Sequence, residues 1–366
     1  MTAASVVRRG VLRRRAPAGG SRPPRERGDP ARSFLITLVA VVAIAAFLSP
    51  MLRSVSYALK DLDQITQAHS PLYPADPVTF SHGGEDLTLM NVPLPDGTTR
   101  QLALLEPLRR HSTFIDPLAP DAAPIVWQGS WRTLEPVWQF APHWENFAEV
   151  WDLIDYPRLL FNTIVIAVVS TIGTLLSCTL VAYGFARFRF PGRGLLFTLL
   201  IATIFLPAAV TLIPTYTIYV KIGWVGTWLP LLVPTFFANA YDVFLLRQYF
   251  MTIPRDLDEA ASIDGAGPLR ILRSVILPQA WPVIIAVAIF HFVYTWNDFF
   301  GPLIYLAGHP ELYPLQVGLA SFNGIYYQNP AYVQAGTIMT LLVPVLLFIA
   351  FQRVFIRGIV ITGVEK

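Results

Sequence analysis

Apolar runs long enough to cross a lipid bilayer dominate this sequence, and they constrain its fold more than any motif does. A membrane helix needs about 20 mostly apolar residues, because hydrocarbon offers no water to satisfy backbone polar groups. Six candidates stand out, at roughly 33–52, 159–185, 195–219, 228–246, 280–305 and 333–356. Only 14% of the 366 residues are charged, against about 25% in a soluble domain. The predicted fold class is therefore an all-α membrane protein with six transmembrane helices. Pro207, Pro214, Pro230, Pro234 and Pro344 fall inside the spans. Neighbouring helices tolerate them, and they predict the kinks of a moving transporter rather than the straight helices of an anchor. The single cysteine, Cys178, lies in an apolar run, which excludes an intrachain disulfide and suits a small buried hydrophobe.

The charges set the orientation. Cytoplasmic flanks collect Lys and Arg. Before the first span stand nine arginines, Arg8 to Arg32, against Glu26 and Asp29. The predicted N-terminus (1–32) is a basic, disordered cytoplasmic tail. Arg187, Arg189 and Arg193 follow span two, Arg247, Arg255, Arg270 and Arg273 follow span four, and Arg353, Arg357 and Lys366 close the chain. With six spans every one of these loops faces the cytoplasm, as do both termini, in a bacterial plasma membrane. An Arg-rich start can also open a secretory signal, but Pro50 behind the small residues Ala46–Ser49 disfavours cleavage. The first span is expected to remain.

Residues 53–158 then form one long extracytoplasmic segment. LTLMNVPLPDGTTRQLALL reads as a β-hairpin turning at Asp96-Gly97. Trp127, Trp131, Trp138, Trp144 and Trp151 are expected to pack a small domain or sit at the membrane interface, ahead of any stacking on a ligand.

Several chemistries are absent. Only Lys60, Lys221 and Lys366 are present, and none follows a glycine, so no phosphate-cradling G-K-[ST] loop exists. No H-E-x-x-H zinc pattern or G-x-S-x-G elbow occurs. The chain is not expected to be an enzyme or to bind a cofactor or metal. His291 stands alone in span five and reads as polar packing. Asp242 and Asp298 sit near span ends, where a charge reaches the interface cheaply.

Between spans four and five, EAASIDGAGPLRILRSVILP breaks the oily pattern. Pro254 and the acids Asp256, Asp258 and Glu259 suit a helix start. Gly265 suits a left-handed cap, Pro268 starts a second helix, and Pro278 ends it before span five. This predicts a cytoplasmic helix–turn–helix (coupling loop 247–279) with small residues at its elbow, built for close approach by a partner. Since the chain has no ATPase site, that partner is expected to be a motor subunit.

The stretch closely resembles the coupling motif of ABC importer permeases: Glu259-Ala260-Ala261, then Asp264-Gly265, Val275 where isoleucine is usual, then Leu277-Pro278. Trp296-Asn297-Asp298-Phe299 with Pro302-Leu303 resembles the W-N-[ED]-F…P-L segment of carbohydrate-importer permeases. Tyr313–Leu319 resembles their T-L-P-V-G-L stretch. Gly358–Lys366 is similar to the tail of the second maltose-type permease subunit, and Tyr57–Lys60 and Trp144–Phe147 to its outside flanks. Between those flanks the sequence departs, with a long insert.

The resemblance implies the type I ABC importer permease fold, with a small β-containing extracytoplasmic insert. It implies a second permease, two ABC ATPase subunits using ATP and Mg, and an external solute-binding protein; no nucleic acid is expected. The cargo it implies is a sugar, a di- or oligosaccharide, with an ABC permease for a non-sugar solute such as a glycerophosphodiester as the alternative. A secondary transporter is the rival of another class, and it would need intramembrane coupling acids or inverted repeats that the sequence does not show. Glu259, Ala260, Ala261, Asp264, Gly265, Arg270, Arg273, Leu277 and Pro278 would couple to the ATPase. Thr362, Gly363 and Lys366 would reach it from the tail, and Asn297 would line the sugar path.

Overall fold

The computed structural model describes residues 30–67, 70–108, 110–324 and 328–360. The basic start and the tail residues Thr362, Gly363 and Lys366 lie outside the described residues. The chain divides into a unit ending at Pro50 and a unit Met51–Lys366. The first holds most of α1 (Pro30–Ala58). Every side chain from Ala31 to Pro50 is exposed. A helix that is apolar all round suits lipid or another chain around it.

In the second unit, α1 ends and α2 (Leu62–Thr66) precedes a β region whose described residues form eight strands. These are β1 (Ala75–Pro77), β2 (Thr79–His82), β3 (Glu85–Pro93), β4 (Thr99–Glu106), β5 (His111–Ile115), β6 (Ile125–Gln128), β7 (Glu135–Pro136) and β8 (Trp138–Phe140). The expected hairpin is present: β3 and β4 pair antiparallel with Pro93 opposite Thr99. Gly97 takes φ +81°, and Asp96 Oδ1 accepts from Thr98 N at 2.9 Å. Strands β2 to β6 form an antiparallel meander, with β7 also on β3. Period-two alternation gives the sheet two apolar faces. Met90, Val92, Leu102 and Phe114 cluster with Trp127 and Trp131 on one, and Leu87, Ala103 and Ile115 on the other. These two tryptophans pack the β region, as the sequence predicts. The outermost strands β1 and β8 pair with each other, Ala75 opposite Phe140. The inserted region therefore leaves and rejoins its host at nearly one point, which is why the host tolerates it.

The flanks that resemble the family pattern meet at that point. Asn146 Nδ2 donates to Ala58 O at 2.9 Å and Lys60 O at 3.0 Å. Lys60 Nζ donates to Pro71 O at 2.6 Å. His143 lies between two carboxylates, 2.7 Å from Asp76 and 2.5 Å from Glu145. Burial works against the imidazolium, but the hydrogen bonds to Asp76 and Glu145 outweigh it and raise the His143 pKa above 6.5. A raised folded-state pKa gives stability that is fully present below pH 6.5 and is lost as pH climbs through the raised value. The Glu145 pKa is lowered by its own backbone amide and by His143, so its share is lost only at acid pH. Thermal unfolding across about pH 5 to pH 9 should show stability declining on the alkaline side. His143→Gln should flatten that decline; an unchanged profile would refute the assignment.

The remaining helices are α3 (Glu145–Leu153), α4 (Tyr156–Arg187), α5 (Arg193–Ala202), α6 (Ala208–Lys221), α7 (Leu229–Leu232), α8 (Ala240–Thr252) and α9 (Asp256–Ile263). After them come α10 (Pro268–Trp296), α11 (Phe300–Tyr305), α12 (Leu315–Leu319) and α13 (Pro330–Val360). Among the described residues, five segments are long and apolar enough to cross a membrane: Ala31–Ala58, Tyr156–Arg187, Leu229–Thr252, Pro268–Trp296 and Pro330–Gln352. The expected third span is instead a pair, Arg193–Phe205 and Ala209–Lys221, bent by 99°. Pro207 causes the break. It removes an N–H and pushes Leu206 to an extended ψ of 116°. The fourth span runs later than expected, to Thr252, and is interrupted before Asn239 caps α8.

Helix α4 is the hub, packing on α3, α8, α10 and α12. Its buried stripe includes Thr163, Ala167, Ser170, Gly173, Thr174, Cys178 and Ala182. Small residues let helices approach closely without a hydrophobic drive. At Gly173 a Cβ would stand 2.6 Å from Thr235 Oγ1 and 2.9 Å from the Phe236 ring.

Candidate coupling element and intramembrane cavity

The stretch Glu259–Pro278 forms two helices joined at Gly265. Helix α9 ends in a left-handed glycine cap: Gly265 has φ +78°. Gly265 N donates to Ser262 O at 3.0 Å and Ala266 N to Ala261 O at 2.9 Å, which is the Schellman pattern. The second helix departs from expectation. It does not stop at Pro278 but continues through α10 to Trp296, so the coupling element and span five are one rod. A π-helical turn, Leu272–Ile276, makes this possible. In a regular helix the Pro278 ring would strike the carbonyl of Ser274 and leave it unpaired; widening the turn around Ser274 relieves that clash. Span five then ends at Trp296, and α11 is a separate short helix.

The element is docked firmly. Ile271, Leu272 and Ile276 join a buried cluster with Ala182, Tyr183, Leu246 and Phe250. Tyr183 Oη donates to Pro268 O at 3.1 Å. Arg187, at the end of α4, lies 3.0 Å from Asp258 Oδ2 as an ion pair, and its Nη2 donates to Ile253 O at 3.0 Å. Asp258 Oδ1 is buried without a partner of its own. Arg247 donates to Phe185 O and Arg255 to Ala186 O. These cations satisfy the free carbonyls at the negative end of α4. Arg187, Arg247 and Arg255 thus tie α8 and the segment leading to the elbow to the end of α4.

Its outer surface is free. Glu259, Ala260, Asp264, Gly265, Arg270, Arg273 and Pro278 are exposed, while Ala261 and Leu277 are half-buried against the core. Ile263 is 86% exposed and Leu269 72% exposed. Two such apolar side chains leave an exposed apolar patch beside the glycine elbow.

A second polar locus lies between spans. His291, which the sequence presents as isolated, has company. Its Nε2 shares a hydrogen bond with Thr174 Oγ1 at 3.1 Å, and its Nδ1 stands 3.8 Å from Asp242 Oδ2. Asp242 does not reach an interface; it is buried, with Asn239 Nδ2 donating to Oδ2 at 2.7 Å. Asp298 likewise faces inward and caps α11, Oδ1 accepting from Gly301 N at 3.2 Å. His291 and Tyr294 line both a cleft of about 540 Å³ with Asp242 and a smaller cavity of about 90 Å³ with Asp298. Asn297 lines neither; its Nδ2 donates to Val293 O at 2.8 Å in its own helix. The cavity lining falls instead on its neighbour Asp298 and on His291, Tyr294 and Thr295 in the preceding two turns. A sequence signal for this existed: His291, Tyr294, Thr295 and Asp298 recur at i, i+3, i+4 and i+7.

A family model described as "Binding-protein-dependent transport system inner membrane component" matches residues 171–360. The chain belongs to this family. This binding-protein-dependent inner-membrane component is accordingly a transport permease of the ABC importer type, a membrane protein and not an enzyme. Its relatives include the osmoprotective compounds uptake permease protein GgtD of Synechocystis sp., 35% identical over 241 residues, covering 66% of this chain and 80% of that one. The sn-glycerol-3-phosphate permease protein UgpE of Rhizobium meliloti is 34% identical over 211 residues, covering 57% and 74%. The alpha-glucoside permease protein AglG of the same organism is 30% identical over 230 residues, 60% of each chain. In fold, the permease matches a chain of a bacterial ABC transporter that imports the acidic polysaccharide alginate, with TM-score 0.63 at 19% identity, over 91% of this chain and 99% of that one. The type I importer permease fold expected from the sequence is the fold found.

Proposed function

We propose that this permease forms, with a second permease, the path for a carbohydrate delivered by an external binding protein, and that two separate ATPase subunits drive it. The observation that carries this is the coupling element: a docked base, an exposed glycine elbow and a continuous rod into span five. A push on α9 and the elbow passes through the Arg187–Asp258 pair to α4 and along α10 toward the cavity at His291. Both termini and the coupling element lie in the cytoplasm and the β region outside, as the distribution of basic residues requires. Glu259, Ala260, Ala261 and Gly265 meet the ATPase, Arg270 and Arg273 supply charge complementarity, and the tail at Thr362–Lys366 adds contact. Carbohydrate is favoured by the alpha-glucoside relative and by the cavity's hydroxyl and carboxylate lining. ATP and Mg are held by the ATPase subunits.

The test is proximity. Ala260 is exposed and the native Cys178 is buried, so Ala260→Cys gives one addressable thiol. A thiol–amine cross-linker of about 6 Å should join it to the ATPase subunit in the assembled transporter, with a yield that changes on adding ATP. No adduct in an intact, ATP-hydrolysing assembly would refute the coupling assignment.

A further inference from the structure

Two carboxylates face the cavity in this permease. Asp242 contributes to the 540 Å³ cleft and Asp298 to the adjoining 90 Å³ cavity, and His291 and Tyr294 belong to both. Among the described lining residues there is no Lys or Arg. An intramembrane ionisable residue is costly and is found where a path or a site needs it. Each acid is half spent on structure. Asp242 Oδ2 is held by Asn239, and Asp298 Oδ1 by Gly301 N. That leaves Asp242 Oδ1 without a protein partner among the described residues, while the Asp298 carboxyl is held by the Phe300 and Gly301 amides and keeps acceptor capacity toward the cavity. Each is a strong acceptor fixed by its own neighbour. Tyr294, 74% exposed and 6.3 Å from the His291 ring, adds an aromatic face beside them. Thr295 and Ser170 add hydroxyls.

Acceptor-rich, cation-free linings suit a ligand that brings donors and no negative charge. Sugar hydroxyls donate to a carboxylate, and a pyranose face packs on an aromatic ring. A phosphate or uronate would set an anion beside two carboxylates in a medium that screens poorly. A volume of about 540 Å³ lies within the range of small-molecule sites. We infer that this half of the path selects an uncharged sugar, through Asp242, Asp298 and Tyr294, and rejects anionic solutes such as sugar acids and sn-glycerol 3-phosphate. The inference rests on the carbohydrate reading above and sharpens it.

The experiment uses the full transporter in nanodiscs, with equilibrium binding and stimulated ATPase read for matched probes. These are cellobiose and maltose, their uronic-acid counterparts, and sn-glycerol 3-phosphate. The neutral member of each pair should bind at least about tenfold more tightly than its acid. Asp242→Asn and Asp298→Asn keep an acceptor for each cap and should narrow that ratio about tenfold. Tyr294→Ala, at an exposed position with no structural hydrogen bond, should weaken neutral sugars without changing the ratio. A purely structural role for the acids would lower both members equally and overturn the inference. Equal or tighter binding of the uronates overturns it while leaving the carbohydrate reading intact. Response to sn-glycerol 3-phosphate alone, or to none of the probes, overturns both.

Discussion

Replacing Arg187 with alanine should cost the folded protein about 3–5 kcal/mol, the usual penalty for stripping a buried ion pair of one partner. The Arg187 side chain is 6% exposed and Asp258 19%. Asp258 Oδ1 already lacks a partner, so the variant would leave a buried carboxylate with no cation beside it. It would also free Ile253 O, which Arg187 now satisfies. The expected phenotype is twofold: a lower unfolding temperature in detergent, and ATP hydrolysis that no longer follows substrate, because α9 loses its ion pair with α4 and keeps, among its described polar ties to α4, only the Arg255 hydrogen bond at its start. Asp258→Leu alone should also destabilise. Arg187→Met with Asp258→Leu should recover most of the stability, since an apolar pair of similar volume is often neutral, but should not restore the coupling if the charge pair transmits force. A double variant as unstable as the single ones would show that packing, rather than charge, holds the element.

Gly265→Asp should abolish substrate-stimulated ATP hydrolysis and uptake while the transporter still assembles. Within the chain the substitution has room, since a Cβ at Gly265 meets nothing within 4 Å. Its intrachain cost is confined to the left-handed backbone, roughly 1–2 kcal/mol. Gly192 is the control. It also has positive φ (+75°) and open space around it, and it sits in the turn between α4 and α5, outside the Glu259–Pro278 stretch. Gly192→Asp should impose similar strain and leave transport within about twofold of the parent. Equal losses in both variants would assign the effect to backbone strain. Normal stimulated ATPase in Gly265→Asp would end the coupling assignment.

The coupling element was legible because its determinants are local. The first-turn acids, the Gly265 cap and Pro268 each act within a turn, and the structure places them as the spacing predicts, while Pro254 stands just ahead of the helix rather than in its first turn. The hairpin at Asp96-Gly97 was legible for the same reason. What failed were inferences that needed neighbours. Pro278 looks like a stop until a π-helical turn beside it absorbs the clash. Asp242 looks cheap near a span end until Asn239 and His291 are seen enclosing it. His291 looks isolated because Thr174 is far away in the chain and only α4 packing on α10 brings them together.

The sequence by itself located most of the membrane-capable helices, the asymmetry of basic residues between loops, the lack of a phosphate-cradling G-K-[ST] motif and the helix–turn–helix at Gly265. Length, charge distribution and short-range turn chemistry suffice for those. Only the tertiary structure decided that the coupling element continues into span five and is clamped by Arg187 to α4. It also decided that Asp242, His291 and Asp298, rather than Asn297, face the cavity. Those outcomes depend on which helix faces pack together, and close packing of small residues along α4 sets that in three dimensions.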